Sequence, residues 1–228
     1  MFNKNNKTHV RLFIESPLII NNIQITLSES RLELKDDKNL MIHCEEQESG
    51  IALMRAILGL EKISEGMIYI KTEKKELFID RKRNVDFLRE DIRIAYVSKD
   101  GSDYCRDLTI MENLNLLGNS PDFNQRIQQL ATDFLVEENL DYVPDSVSIR
   151  RRKIFSIIRA WAFLPDIIVY TNPLEYLDDF SKIEILRKFA IPKEDSAWLS
   201  VVYVPSIGEL STVLHNFHLV EIIHSDRI

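Results

Sequence analysis

Three carboxylates crowd one short polar segment, His43-Cys44-Glu45-Glu46-Gln47-Glu48-Ser49-Gly50, set between the apolar stretch NLMI and the run ALMRAILGL. A strand, a polar loop and a helix in that order can cradle a phosphate, because the unpaired N–H groups of the helix's first turn point at the anion. That chemistry calls for glycines, which let the backbone approach the phosphate, and for a lysine. The segment ends in its single glycine and has no lysine. It has the frame of a phosphate loop without the chemistry, and it reads as a solvated strand-to-helix turn. A metal held by Glu45, Glu46 or Glu48 is the competing reading, but neighbouring carboxylates on a surface loop are ordinarily solvated.

Other reactive residue types are scattered. Arg150-Arg151-Arg152-Lys153 puts a run of cations at a helix start, where they oppose the helix dipole. The run fits either a contact with lipid headgroups, RNA or an acidic partner surface, or a solvated helix end. His215 and His218 stand close together with His224 beyond, yet no cysteine or carboxylate falls at ligand spacing, so LHNFHL reads as an amphipathic helix. Ser148 with a distant histidine and aspartate gives no triad signal. Cys44 and Cys105 lie far apart in a chain that starts without a secretion signal, which favours reduced thiols. Trp161, Phe163 and Tyr170 sit on apolar faces and belong to a core.

The elements that must position these groups alternate. VRLFIE, IQITLS, RLELKDD and NLMIHC read as strands of a sheet edge, and a buried helix opens near Ser49 and stops at Gly59. GMIYI and ELFID form a hairpin-type pair, followed by a charged helical stretch around RNVDFLRED and the strand RIAYV. Between Thr109 and Leu140 apolar residues recur every three or four positions, marking a helical region. Ser148 then precedes the amphipathic helix IRRRKIFSIIRAWAFL, and DIIVY has the short apolar run of a buried parallel strand. The helix DDFSKIEILRKFAI, the strand WLSVVYV and a last helix-plus-strand close the chain.

At 228 residues, 45% hydrophobic and 29% charged, the chain can bury a substantial core. A net charge of -7 argues against a general nucleic-acid binder. No apolar run is long enough to cross a bilayer, which predicts a cytoplasmic protein.

In this order the segments resemble the ATP-binding cassette ATPases, the nucleotide-binding subunits of ABC transporters, from about residue 10 onward. ALMRAILGLEKISEGMIYI is similar to the family's helix after the nucleotide loop and the strand beyond it. RIAYVSKD resembles the strand into the Q-loop, and RDLTIMENLNL the segment that follows. VSIRRRKIFSIIRAWAFLPDIIVYTNPLEYLDD resembles the run from signature loop to D-loop, and VVYVPSIGELSTVLHNFHLVEIIHSDRI the last strand, switch loop and terminal helix. RNVDFLREDIRIAYVSKD is most similar to the branch serving lipoprotein release, cell division and phospholipid transport.

The resemblance implies an α/β fold: a mainly parallel sheet core, an antiparallel N-terminal β subdomain and an inserted α-helical lobe. It implies a single domain over 1–228 with the lobe at 107–146. It places the nucleotide loop's glycines on Cys44, Gln47 and Ser49, its lysine on Gly50 and its Mg²⁺ hydroxyl on Ile51. The Mg²⁺ aspartate and catalytic glutamate fall on Thr171 and Asn172, the Q-loop glutamine on Lys99, the switch histidine on Pro205, and the signature loop on Val147-Ser148-Ile149-Arg150-Arg151. A glutamate about 4 Å from a phosphate oxygen would oppose it by roughly 4 kcal/mol at an effective dielectric near 20. The expectation is therefore a catalytically inactive subunit that is not an enzyme, with no cofactor or metal, in a structural or regulatory role in a membrane transporter complex. Its expected partners are an integral membrane permease and a second cassette subunit, in a homo- or heterodimer, and no nucleic acid. Lys99 and Asp100 are expected at the permease groove, and Ser148, Arg150 and Asp178 at the cassette pairing face, on the cytoplasmic side of the membrane. The alternatives are a divergent ATPase, a half-site acting in trans through Ser148, or a free-standing cytoplasmic scaffold.

Overall fold

Strand β1 (Arg11–Ile20) turns back at Asn21-Asn22, both in the left-handed region, into β2 (Ile23–Leu27), and β3 (Arg31–Leu34) also pairs antiparallel with β1, farther along the same edge. The structure is a computed structural model and describes residues 10–34, 38–71, 76–79, 92–116, 118, 120–191 and 198–227. The charged stretch RNVDFLRED lies outside the described residues, and so does any structural sign of the branch it resembles.

Among the described residues the strands form one ten-stranded sheet in the order β6 (Glu76–Ile79), β5 (Ile63–Lys71), β1, β2, β10 (Phe217–Arg227), β4 (Asn39–His43), β9 (Leu199–Val204), β8 (Ile167–Thr171) and β7 (Ile94–Val97), with β3 hung on β1. One half is antiparallel: β5 pairs with β1 and with β6 as the expected hairpin. The other half, β4, β9, β8 and β7, is parallel. The last strand, β10, joins the halves, pairing antiparallel with β2 and parallel with β4. β4 is thus central, not at a sheet edge, which explains why NLMI is apolar without alternation: it is covered on both faces.

Helices cover the parallel half from both sides. Successive strand residues point to opposite faces, so Leu40, Ile167, Val169, Val201 and Tyr203 join helix α1 (Gln47–Ile57) and the antiparallel layer in one buried core. Met41, Ile168, Tyr170, Val202 and Val204 join the other helices in a second core. That second face is covered by α2 (Ile110–Asn115), α3 (Pro121–Asp133), α4 (Ile149–Ala162) and α5 (Asp179–Phe189). Trp161 and Tyr170 are buried there as expected, with the Trp161 indole N–H donating to the Tyr170 hydroxyl at 2.9 Å.

The helix starts carry recognisable caps. Thr109 and Glu112 form a reciprocal capping box on α2, and Ser120, Ser148 and Asp178 cap α3, α4 and α5. Helix α1 opens at Glu46, three residues before the expected Ser49, and Gly59 follows its end at φ 67°. The segment 208–216 is a 3-10 helix rather than an amphipathic α-helix, and Phe217 and His218 already belong to β10. Leu210 and Val213, both buried, are spaced by the three-residue period of that tighter helix.

Candidate functional site

The polar segment between β4 and α1 is held by the chain's own last strand. Glu46 accepts hydrogen bonds from Ser225 of β10 and, at 2.7 Å, from the Ser49 hydroxyl; these bonds hold its carboxyl below the usual range. Arg227 grips Glu48 with one nitrogen at 2.8 and 2.7 Å from its two oxygens. The Cys44 thiol is pushed up chiefly by burial and donates to the Glu46 carbonyl at 3.3 Å. Glu45, Glu46 and Glu48 therefore do not converge on one point, and among the described residues no His, Cys, Asp and Glu group is arranged to hold a metal ion. His218, read above as part of a helix, lies on β10 and bonds Glu29 at 2.7 Å.

Beneath the turn lies Tyr203. Its hydroxyl donates to the Cys44 carbonyl at 3.2 Å, and burial, the leading cause, pushes its pKa up to about 12. A Cβ built on Gly50 would sit 2.1 Å from the Tyr203 ring, so the first turn of α1 packs directly against that ring.

The loop after β7 meets the turn after β8 at the carboxyl ends of the parallel strands, where open α/β sheets place their ligands. Lys99 reaches Gln47, the first residue of α1, at 3.4 Å and pairs with Glu175 at 3.3 Å. Asp100 is raised by burial, but the hydrogen bonds from Ser102 outweigh this and leave it low. Lys153 of α4 is fully buried between the two loops, with its ammonium donating to the carbonyls of Ser98 at 2.5 Å, Thr171 at 3.2 Å and Asn172 at 3.3 Å. The Tyr96 hydroxyl and the Thr171 hydroxyl are 3.2 Å apart.

The run Arg150 to Lys153 is not one basic surface. Arg150 bonds Asp178 at 2.7 Å, Arg151 bonds Glu138 at 3.1 Å, Arg152 donates to the Pro144 carbonyl at 3.2 Å, and Lys153 is interior. Sequence reading missed Lys153 because it grouped it with the arginines. The available signal was spacing: Lys153 stands four residues before Ile157 and eight before Trp161, on the buried stripe of α4. Of the residues expected at partner faces, Ser148, Arg150 and Asp178 come together, joining the caps of α4 and α5. Lys99 and Asp100 form a second group, and Glu175 sits in the turn that leads from β8 to Asp178. Beyond that turn, Asn172, Glu175, Tyr176, Lys182, Pro205 and Glu209 help line a cleft of about 420 Å³. Asn172 and Tyr176 have φ values of 43° and 66°, and a Lys182–Glu209 pair at 2.6 Å adjoins the cleft.

This architecture is that of the ATP-binding cassette ATPases. The ATP-binding cassette MJ0796, solved as a dimer in a post-hydrolysis state bound to ADP and Pi, superposes with a TM-score of 0.68 at 18% identity, over 95% of this chain and 98% of that one. A nucleotide-free ATP-binding cassette from an ABC transporter superposes with a TM-score of 0.63 at 16% identity, over 96% of this chain and 91% of that one. In sequence the chain is similar to the sulfate/thiosulfate import ATP-binding protein CysA of Synechocystis sp., 25% identical in an alignment of 198 residues that covers 82% of this chain and 53% of that protein. The chain thus spans about half the length of that curated relative. No family model matches it.

These likenesses overturn the expectation that the chain is not an enzyme: what it resembles in sequence and fold are ATP-binding cassettes, one of them caught after hydrolysis. The expectation rested on matching single positions of the nucleotide loop, of Thr171 and Asn172, of Lys99, of Pro205 and of the signature loop to the family's residues. In the folded chain, groups from distant segments also reach the start of α1: the Lys99 ammonium at Gln47, Ser225 at Glu46 and Arg227 at Glu48.

Proposed function

We propose that the chain is a cassette subunit of a membrane transport complex, acting there in a structural or regulatory role. In this reading Ser148, Arg150 and Asp178 pair with a second cassette subunit, while Lys99 and Asp100 face an integral membrane permease from its cytoplasmic side. The observation that carries it is the Arg150–Asp178 bond at 2.7 Å. It fastens the starts of α4 and α5 together, and Ser148 and Tyr176, each two residues before one of the bonded pair, are both exposed. No helix of the described residues is long and apolar enough to cross a membrane, so any membrane attachment through them needs a partner.

The test is affinity purification of the full chain from detergent-solubilised membranes of its own cells, comparing wild type with Arg150→Glu and Asp178→Lys, and following Mg-ATP turnover in each preparation. The expected result is recovery of a second cassette subunit and an integral membrane protein with the wild type, and loss of the cassette from both charge reversals. Recovery of neither partner by a folded wild-type chain overturns the reading and leaves the free-standing scaffold.

A further inference from the structure

Helix α3 ends on a residue that neither its backbone nor its packing calls for. Leu135 stands at φ 56°, with its N–H on the Thr132 carbonyl at 3.0 Å and the N–H of Val136 on the Ala131 carbonyl at 2.9 Å. This closing pattern ordinarily takes glycine, because a bulky side chain is strained in the left-handed region. The leucine gains nothing from the interior in return, since it is 69% exposed. Strain that keeps an apolar side chain in solvent points to a contact outside the chain.

The segment that follows has the same character. From 135 to 145, between α3 and α4, the exposed side chains are apolar or acidic and none is basic: Leu135, Tyr142 and Val143, with Glu137, Glu138, Asp141 and Asp145. Two one-turn 3-10 helices, Glu137–Asn139 and Pro144–Ser146, keep the stretch compact. It is also tied down, because the Ile110 and Met111 N–H groups of α2 donate to the Tyr142 and Leu140 carbonyls, both at 2.8 Å, and Arg152 of α4 donates to the Pro144 carbonyl. A surface shaped in advance spares a partner the cost of ordering it. Glu138 has Arg151 at 3.1 Å and Asp145 has Arg106 at 4.0 Å, whereas Glu137 and Asp141 have no cation partner among the described residues. Asn139, 2% exposed in the same segment, leaves its side-chain oxygen without a hydrogen-bond partner among the described residues, a further unsatisfied acceptor.

The wider charge distribution agrees. Residues 107–146 hold eight carboxylates against one cation, Arg126, which accounts for the whole net charge of -7 and leaves the rest of the chain balanced. Anionic lipid headgroups, nucleic acid and the same surface of a second copy would all be repelled. What fits is a polypeptide with lysine or arginine set beside apolar residues.

We propose that segment 135–145 is a docking surface for a cationic, amphipathic segment of a partner polypeptide, with Leu135, Tyr142 and Val143 taking its apolar face and Glu137 and Asp141 its cations. The surface adjoins the pairing face proposed above through the Glu138–Arg151 bond. It does not depend on that reading, and the measurement below uses neither of the partners named there, so the two fail separately.

Fluorescence anisotropy tests the docking with the purified full chain and a labelled amphipathic peptide of lysine and leucine, about 14 residues long. The lysine peptide is expected to bind and its glutamate-and-leucine counterpart is not. Glu137→Gln with Asp141→Asn should weaken binding about two- to fivefold per charge. Glu33→Gln with Glu65→Gln, which removes as much charge from exposed positions on β3 and β5, should leave it nearly unchanged. Leu135→Gly should weaken it about tenfold while the chain stays at least as stable to urea as the wild type, because glycine suits φ 56°. A photoreactive group on the lysine peptide should crosslink to 135–145 of the wild type, a result that decides even where a variant fails to fold. No binding, equal binding of the glutamate peptide, equal weakening by the two charge pairs, wild-type binding by Leu135→Gly, or crosslinks elsewhere on the chain each overturns the proposal.

Discussion

Gly50→Ala should destabilise the protein, although alanine is the better helix former. Gly50 lies within α1, where the exchange in isolation would gain about 1 kcal/mol. Here the added methyl would meet three ring carbons of Tyr203 at 2.1, 2.4 and 2.6 Å. Ordinary carbon contacts are about 3.5–4.0 Å, so the ring would have to retreat by more than about 1.4 Å inside a core where Tyr203 is 1% exposed. Overpacking of this kind costs about 1–3 kcal/mol. The Tyr203 hydroxyl bond to the Cys44 carbonyl, worth about 0.5–1.5 kcal/mol, would be lost with the ring's position. The net expectation is a loss of about 1–3 kcal/mol, measured by urea unfolding of the full chain. Tyr203→Phe keeps the ring and should not rescue Gly50→Ala, whereas Tyr203→Val clears the space and should make the two substitutions strongly non-additive. A Gly50→Ala protein more stable than wild type, or strict additivity with Tyr203→Val, would refute the contact.

Further expectations follow from single groups. Asp178→Ala removes the α5 cap and should cost about 1 kcal/mol by chemical denaturation, while Asp178→Asn, an equally good cap, should cost much less. The bonds from Ser181 hold Asp178 below its ordinary 3.8, so its stabilisation is complete at neutral pH and lost as pH falls through that lowered value. Asp178→Asn should remove this part of the acid limb of an unfolding profile. Asn113→Ala should cost about 1–3 kcal/mol, because its buried side chain accepts from Cys105 and donates to the carbonyls of Cys105, Leu108 and Thr109; thermal melts and exchange at 105–109 report it. The unfolded chain holds the Lys153 proton between about 7 and 10.5, so global stability should rise with pH across that window by up to about 1.4 kcal/mol per unit, and Lys153→Met should remove that slope.

Much of the fold was legible because it rests on local signals. DIIVY is a short apolar run without alternation, as a strand buried on both faces is, and Ser148 announced the start of α4. The misreadings share a cause in long-range pairing. β4 looked like an edge because nothing local shows that β9 and β10, both from the end of the chain, will flank it. The run around Phe217 kept a helical spacing until pairing with β4 drew it into a strand. At the candidate site, the resemblance puts Ser148, Arg150 and Asp178 at a pairing face with a second subunit and does not foretell that Arg150 bonds Asp178 within the chain. The cradle of Lys153 could not be foreseen either, since its carbonyls carry no side-chain signature, and neither could the Tyr203 ring under Gly50.

The position of β10 also governs how the chain can fold. This strand joins β2 to β4, yet its partners lie near the opposite end of the sequence, with Ser225 facing Ile25 and Phe217 facing Asn39. Such pairings close very long loops, which slows folding relative to local contacts. During synthesis, β1, β2 and β3 can emerge and turn on one another early, while β4 waits with both hydrogen-bonding edges unsatisfied until β9 and β10 arrive. A nascent chain stalled before residue 217 should therefore expose strand edges that bind chaperones or pair with other copies, and release past Arg227 should bury them in one late step.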